Sequence, residues 1–189
     1  MSRKLNTTSA ITNPVDIDTA KAWIKVPWDA EDAIIQILLD HSFESLEGLT
    51  GRIFTSRTFE LYTNEIDTDR QGYPFIEIQT SPVTAISDVL AYNEGSYGSI
   101  LSSVGKDINE AYSKIWFNES VTYDDDEPLP FKITFTAGYS SAPNVAKIAI
   151  LQMLAFSYAN RGDVIADGNL IYPKEIQSLI GQLRITPRI

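Results

Sequence analysis

Between residues 145 and 159 the sequence reads VAKIAILQMLAFSYA, and only Lys147, Gln152 and Ser157 in it are plainly hydrophilic. The segment opens at Pro143, a residue type favoured in the first turn of a helix, and runs to about residue 160, with Gly162 beyond it. A helix on the surface of a globular protein carries a polar stripe opposite its apolar one. This helix has almost none, so it needs cover on more than one side. Either the rest of the chain encloses it, or part of it lies against another subunit, because large exposed apolar patches are rare on monomers. A chain of 189 residues has few elements with which to surround a helix completely, and from the residues alone both readings stay open.

Two further helices are legible before it. One is expected over 17–26, with Asp16 as N-cap, Asp18 in the first turn, Trp23 and Ile24 on the buried side, and Pro27 as the stop. The second starts near Asp29, has Glu31 and Asp32 where the helix dipole favours acids, and stops at Gly51. Ile34, Ile37 or Leu38, His41, Leu46 and Leu49 recur along it at helical spacing, broadened by Ile35 and Leu39. About 20 residues at ~1.5 Å each make it roughly 30 Å long.

The texture changes after Arg57. TFELYT, FIEIQT, ISDVLAY, KIWFN and FKITFT are short alternating or β-branched runs, parted by Gly, Pro, Asn and Asp, and they read as strands. Ser81-Pro82, Asn93-Glu94-Gly95 and the run 124–128 punctuate them as breaks and turns. A short last helix is expected from Tyr172-Pro173 to about residue 180, followed by an extended tail in which Pro187 blocks helix. The fold class is therefore α+β: a mainly helical core of about four helices with an inserted antiparallel β region. The expected organisation is a flexible N-terminal arm at 1–14, a helical core at 15–56 and 138–182, the β insertion at 57–137, and a tail at 183–189.

Charge and composition narrow the function. The formal net charge of −10 argues against a protein that grips duplex DNA through its phosphates. It leaves room for one that stands near DNA without sticking to it. The absence of cysteine removes disulfides and thiolate metal sites. The N-terminal MSRKLNTTSAITNP has no apolar run of the kind a secretory signal needs, and no segment reaches the ~18 consecutive apolar residues of a membrane span.

The search for catalytic chemistry returns little. His41 is the single histidine and reads as a half-buried helical side chain, with no nucleophile and orienting acid in pattern around it. The acidic run 124–127 has consecutive carboxylates, whose side chains diverge rather than converge on one ion, so it reads as a solvated turn. Asp67-x-Asp69-x-Gln71-Gly72 starts like a calcium loop, but its twelfth position is Ile78, where a Glu is required. Gly95-Ser96-Tyr97-Gly98-Ser99 lacks the spacing of a nucleophile elbow, and no phosphate-binding glycine loop occurs. No catalytic, cofactor-binding or metal residue is therefore assigned, and no enzyme activity is expected. A metal-dependent hydrolase built on the acidic turn is the distant alternative.

The order of motifs resembles one family, the head-to-tail connector (adaptor) proteins of long-tailed bacteriophages, prophages and gene transfer agents. VDIDTAKAWIKVPWDAEDAIIQILLDHSFESLEGLTGRIF, at 15–54, is similar to the family's helix, acidic joint, long helix and closing T-G-R. SPVTAISDVLAYNEG at 81–95, ITFTAGY at 133–139, AKIAILQMLAFSYANRGD at 146–163 and YPKEIQSLIGQLRI at 172–185 resemble the strand and turn, the strand-to-helix junction, the apolar helix and the final segment. No such likeness anchors 96–132 or the N-terminal arm.

The resemblance implies a structural virion protein made in the bacterial host cytoplasm. Its copies form a ring, a dodecamer by analogy, beneath the portal protein. That ring joins the DNA-filled head to the tail, extends the channel through which DNA passes without specific binding, and offers a platform to a stopper or tail-completion protein. The alternative is a stopper or tail-completion component of the same neck. Partners are thus the portal, the next neck component and further copies of the chain, with no cofactor and no membrane. Tyr172, Leu183, Arg184, Ile185 and Arg188 are the candidate portal-binding residues, and Ile148, Leu151, Met153, Phe156 and Tyr158 the candidate subunit interface.

Overall fold

The computed structural model describes residues 2–108, 113–118, 121–160 and 172–184. The chain forms an α+β fold that divides into two compact units, Met1–Ile11 with Ser56–Tyr139, and Thr12–Thr55 with Ser140–Ile189.

The first unit is made of strands. In chain order they are β1 (Arg3–Thr7), β2 (Arg57–Thr63), β3 (Asp67–Thr68), β4 (Pro74–Ile78), β5 (Val83–Asn93), β6 (Ser96–Ser99), β7 (Val104–Ile108), β8 (Ser113–Phe117) and β9 (Phe131–Ala137). They form two antiparallel sheets, ordered β1-β2-β9-β5-β6 and β3-β4-β8-β7. The central pair β2 and β9 alternates buried and half-buried residues along its whole length, as period-two side-chain alternation demands. Phe59 sits opposite Phe135 in the register, with their rings stacked at 5.4 Å, and Leu61 sits opposite Ile133. Phe117 of β8 meets Phe131 of β9 at 5.5 Å, so aromatic contacts tie one sheet to the other. Glu94 and Gly95 both have positive φ and join β5 to β6, the geometry of a two-residue hairpin turn that matches strand twist. Ser81-Pro82, read as a break before β5, is a cis peptide.

The N-terminal arm corrects an expectation. Residues 3–7, expected to be flexible, form β1 and pair with β2 from Arg3↔Thr63 to Thr7↔Phe59. RKLNT has little apolar content because an edge strand with two half-open faces needs little; backbone hydrogen bonds supply the pairing. Arg3 Nη1 adds a 3.0 Å bond to the Glu77 carbonyl, and the Ser2 amide donates to Asn64 Oδ1 at 2.7 Å.

Among the described residues the second unit holds four helices, α1 (Ile17–Ile24), α2 (Asp32–Thr50), α3 (Asn144–Ala159) and α4 (Lys174–Leu183). Asp16 caps α1 by accepting from the Thr19 amide at 2.7 Å and the Thr19 hydroxyl at 3.0 Å. Those bonds hold its carboxyl below the usual carboxylate range. Lys21 of α1, buried, is held by Asp29 at 2.6 Å and Asp32 at 2.7 Å, and so fixes α1 to the start of α2. Gly51 stops α2 at φ 70°, where its amide bonds the Glu47 carbonyl and a Cβ would be strained.

The faces of α1 and α2 differ from expectation. The buried residues of α1 are Ala20 and Lys21; Trp23 is exposed, and Ile24 is half-buried. On α2 the core side is Ile35, Leu39, Phe43 and Leu46, whereas Ile34, Ile37 and Leu49 are exposed. His41, expected half-buried, lies exposed between them, 3.4 Å from Ser45 Oγ. The sequence stripe was out of phase because α2 is apolar on two sides, and periodicity cannot say which one meets the core.

Helix α3 packs on α1, α2 and α4. Ala146, Ala149, Ile150, Leu151, Met153 and Leu154 are buried there. Most of the apolar surface that raised the opening question is thus covered inside the chain. Among the described residues, no helix is long and apolar enough to cross a membrane.

Candidate interaction surfaces

Of the five residues on α3 expected at a subunit interface, the structure keeps Ile148 at the surface, 41% exposed. Met153 is fully buried and Leu151 nearly so, within the helical unit in which α3 packs on α1, α2 and α4. They are core residues with no surface to offer a neighbour. Phe156 is half-buried against the Tyr172 ring at 5.7 Å, and Tyr158 donates from its hydroxyl to Glu31 Oε2 at 2.6 Å.

The C-terminal candidates are tethered at their base. The half-buried Tyr172 accepts at its backbone carbonyl from Gln177 Nε2 at 2.6 Å. Burial pushes its phenol above the usual range, partly opposed by a hydrogen bond with Ser45. Leu183 belongs to α4, not to an extended tail; its carbonyl accepts from Arg52 Nε at 2.7 Å. The T-G-R at the end of α2 thus supplies the arginine that holds the end of α4. Arg184 is exposed, with extended backbone, at the point where the chain leaves that anchor. Ile185 and Arg188 lie outside the described residues.

Sequence reasoning missed the exposed apolar residues of α1, of α2 and of the joint between them. Trp23, Trp28, Ile34 and Ile37 are all large and exposed, Ile37 by 67%. The signal is present in the sequence: α2 has more apolar positions than one core-facing stripe holds, and Ile34 and Ile37 are the surplus.

The acidic candidates lie in a turn and along a cleft. Asp69 Oδ1 accepts from the amides of Gln71 and Tyr73 at 2.9 and 2.8 Å, closing the turn between β3 and β4. The run 124–127 lines an open cleft of about 410 Å³ together with Tyr92 and Tyr123. Burial, then the charge of Asp125, raises the Tyr123 phenol. Among the described residues, no group of three or more His, Asp or Glu side chains is placed to hold a metal ion.

The whole chain shares its fold with proteins of gene transfer agent (GTA) particles. A chain in a structure described as the neck of an empty GTA particle computed with C6 symmetry superposes with a TM-score of 0.75 at 19% identity. The match covers 98% of this chain and 97% of that one. Chains from the virion of the native GTA particle and from its neck computed with C12 symmetry match over the same shares, with TM-scores of 0.71 and 0.66. At this identity the likeness establishes the fold. No protein-family model and no curated protein matches the chain.

Proposed function

We propose that the chain is a structural, non-enzymatic protein of a phage-like neck, whose copies form a ring beneath the portal and join the DNA-filled head to the tail. The observation that carries this reading is the end-to-end likeness: nearly every residue of this chain and of a GTA neck chain is matched, with both units included. Sharing one unit would support only a common building block. The sixfold and twelvefold symmetry of the neighbouring necks favours a ring, with a dodecamer matching the larger number. Assembly into the virion follows synthesis in the host cytoplasm.

The C-terminal segment is the portal-binding element in this proposal. Tyr172 and Leu183 set its base through Phe156 and Arg52. Arg184, Ile185 and Arg188 then enter the partner, an arginine-bearing apolar peptide being suited to a groove with acidic rims. The opposite side of the ring receives the stopper or tail-completion protein. The first unit, with fourteen acidic against seven basic residues in 1–11 and 56–139, carries most of the negative charge. Facing the channel, it would repel passing DNA and let it slide.

The test mixes the chain with portal rings encoded by the same genome, full length and ended at Arg184 so that α4 stays whole. Co-sedimentation of the full chain and loss of binding by the shortened one is the expected result. Unchanged binding by the shortened chain overturns the tail assignment, and no binding by either overturns the place beneath the portal.

A further inference from the structure

Two apolar stripes on the helical unit are left exposed among the described residues. Successive helical residues turn by about 100°, so Ile34 and Ile37 of α2 fall opposite Ile35, Leu39 and Leu46, which face the core. On α3, Asn144, Ile148 and Ala159 are exposed on the side opposite Ala146, Ala149 and Met153, with Ala155 half-buried among them. The core sides of α2 and α3 pack against each other, so the two outward stripes look away from one another.

The stripes are also unlike. That of α2 presents two projecting isoleucines, whereas that of α3 has one isoleucine among small residues, over which a neighbour's side chains can approach the helix closely. The helices that carry them differ in charge: α2 has Asp32, Asp40, Glu44 and Glu47 and no Lys or Arg, whereas α3 has Lys147 and no acidic residue. An isologous dimer sets one patch against its own copy and leaves the other bare. Two dissimilar, opposed and charge-complementary patches suit a heterologous head-to-tail contact, which closes into a ring when its rotation divides the circle.

We infer that the α2 stripe of one copy packs on the α3 stripe of the next, Ile34 and Ile37 against Ile148 and Ala155. This rests on the ring reading given above and adds the pair of faces that meet. Ile148 thereby keeps its expected interface role, with a partner on α2.

The chain has no cysteine, so single thiols can be placed without background. Ile37→Cys and Ile148→Cys variants, one of them isotope-labelled, are mixed at high concentration and oxidised, and the dimers are sorted by mass. The expected result is that the 37–148 dimer dominates both same-site dimers, even where self-association is weak. Same-site dimers in equal or greater yield overturn the inference. A charge swap gives an independent reading. Ile37→Glu and Ile148→Lys should each abolish the ring while leaving the helical circular dichroism intact. The double variant, which sets Glu against Lys at every head-to-tail contact, should restore it. A double variant no better than the singles also overturns the pairing. Light scattering on the unmodified chain and on each variant reads the ring separately: a ring that survives every variant sinks this contact and leaves the ring standing, whereas an unmodified chain that stays monomeric with indiscriminate cross-links sinks both.

Discussion

Met153 and Ile148 sit five residues apart on α3, and they should respond to truncation in opposite ways. Met153 is fully buried, so Met153→Ala removes about 75 Å³ of side chain from a packed site; at ~24 cal/mol per Å³ of residual cavity this alone costs about 1.8 kcal/mol if the site stays rigid. The lost transfer free energy adds roughly 2 kcal/mol. The sum of about 4 kcal/mol lies within the range known for such core truncations. Ile148 is 41% exposed; Ile148→Ala should cost the isolated chain about 1 kcal/mol or less, since much of its surface is already wet. Urea unfolding followed by helical circular dichroism checks both, because all four helices belong to the second unit. A Met153→Ala cost below about 1 kcal/mol, or an equal cost at Ile148, would refute the division of α3 into a core side and an outward side.

Asp16→Ala should destabilise the helical unit by about 1 kcal/mol through loss of the α1 cap, read as a lower urea midpoint. Gly51→Ala should cost a similar ~1 kcal/mol because α2 ends there in the left-handed region. Asp16, Asp29 and Glu60 have folded-state carboxyls held below their ordinary values, chiefly by hydrogen bonds to Thr19, Lys21 and Lys132 in turn. Their contribution is complete above the unfolded values of 3.8 to 4.5 and is lost as pH falls through the lower folded ones. Melting temperatures should therefore fall as pH drops below about 4, and an Asp16→Asn, Asp29→Asn chain should show a shallower acid slope. Lys21→Met should leave Asp29 and Asp32 without their shared cation and lower the melting temperature of the helical unit.

The α+β class, the four helices and five of the strands were legible because each has a period or a stop signal of its own. Asp16, Gly51 and Pro143 mark helix ends through backbone chemistry that tertiary packing does not override, and Glu94-Gly95 marks its hairpin in the same way. What escaped was decided between elements. The strand β1 is polar, and nothing local distinguishes RKLNT from a loose arm until β2 is there to pair with it. The strands β6 and β7 are short and carry few apolar residues. The phase of α2 was ambiguous because Ile34 and Ile37 are as apolar as Ile35 and Leu39. That ambiguity has a physical source, since α2 is apolar both on its core side and on its exposed side. The exposed and buried positions of α3 were not separable for the same reason: Ile148 and Met153 look alike in sequence, and only packing distinguishes them.

The central claim is that copies of this chain close into a ring, and native mass spectrometry addresses it most directly. Twelve copies of a 21.1 kDa chain make a species of about 253 kDa, and six copies one of about 127 kDa. The account predicts one of these as the dominant closed species, formed by the chain at high concentration or on addition of portal rings. A chain that remains at 21.1 kDa under both conditions would contradict it.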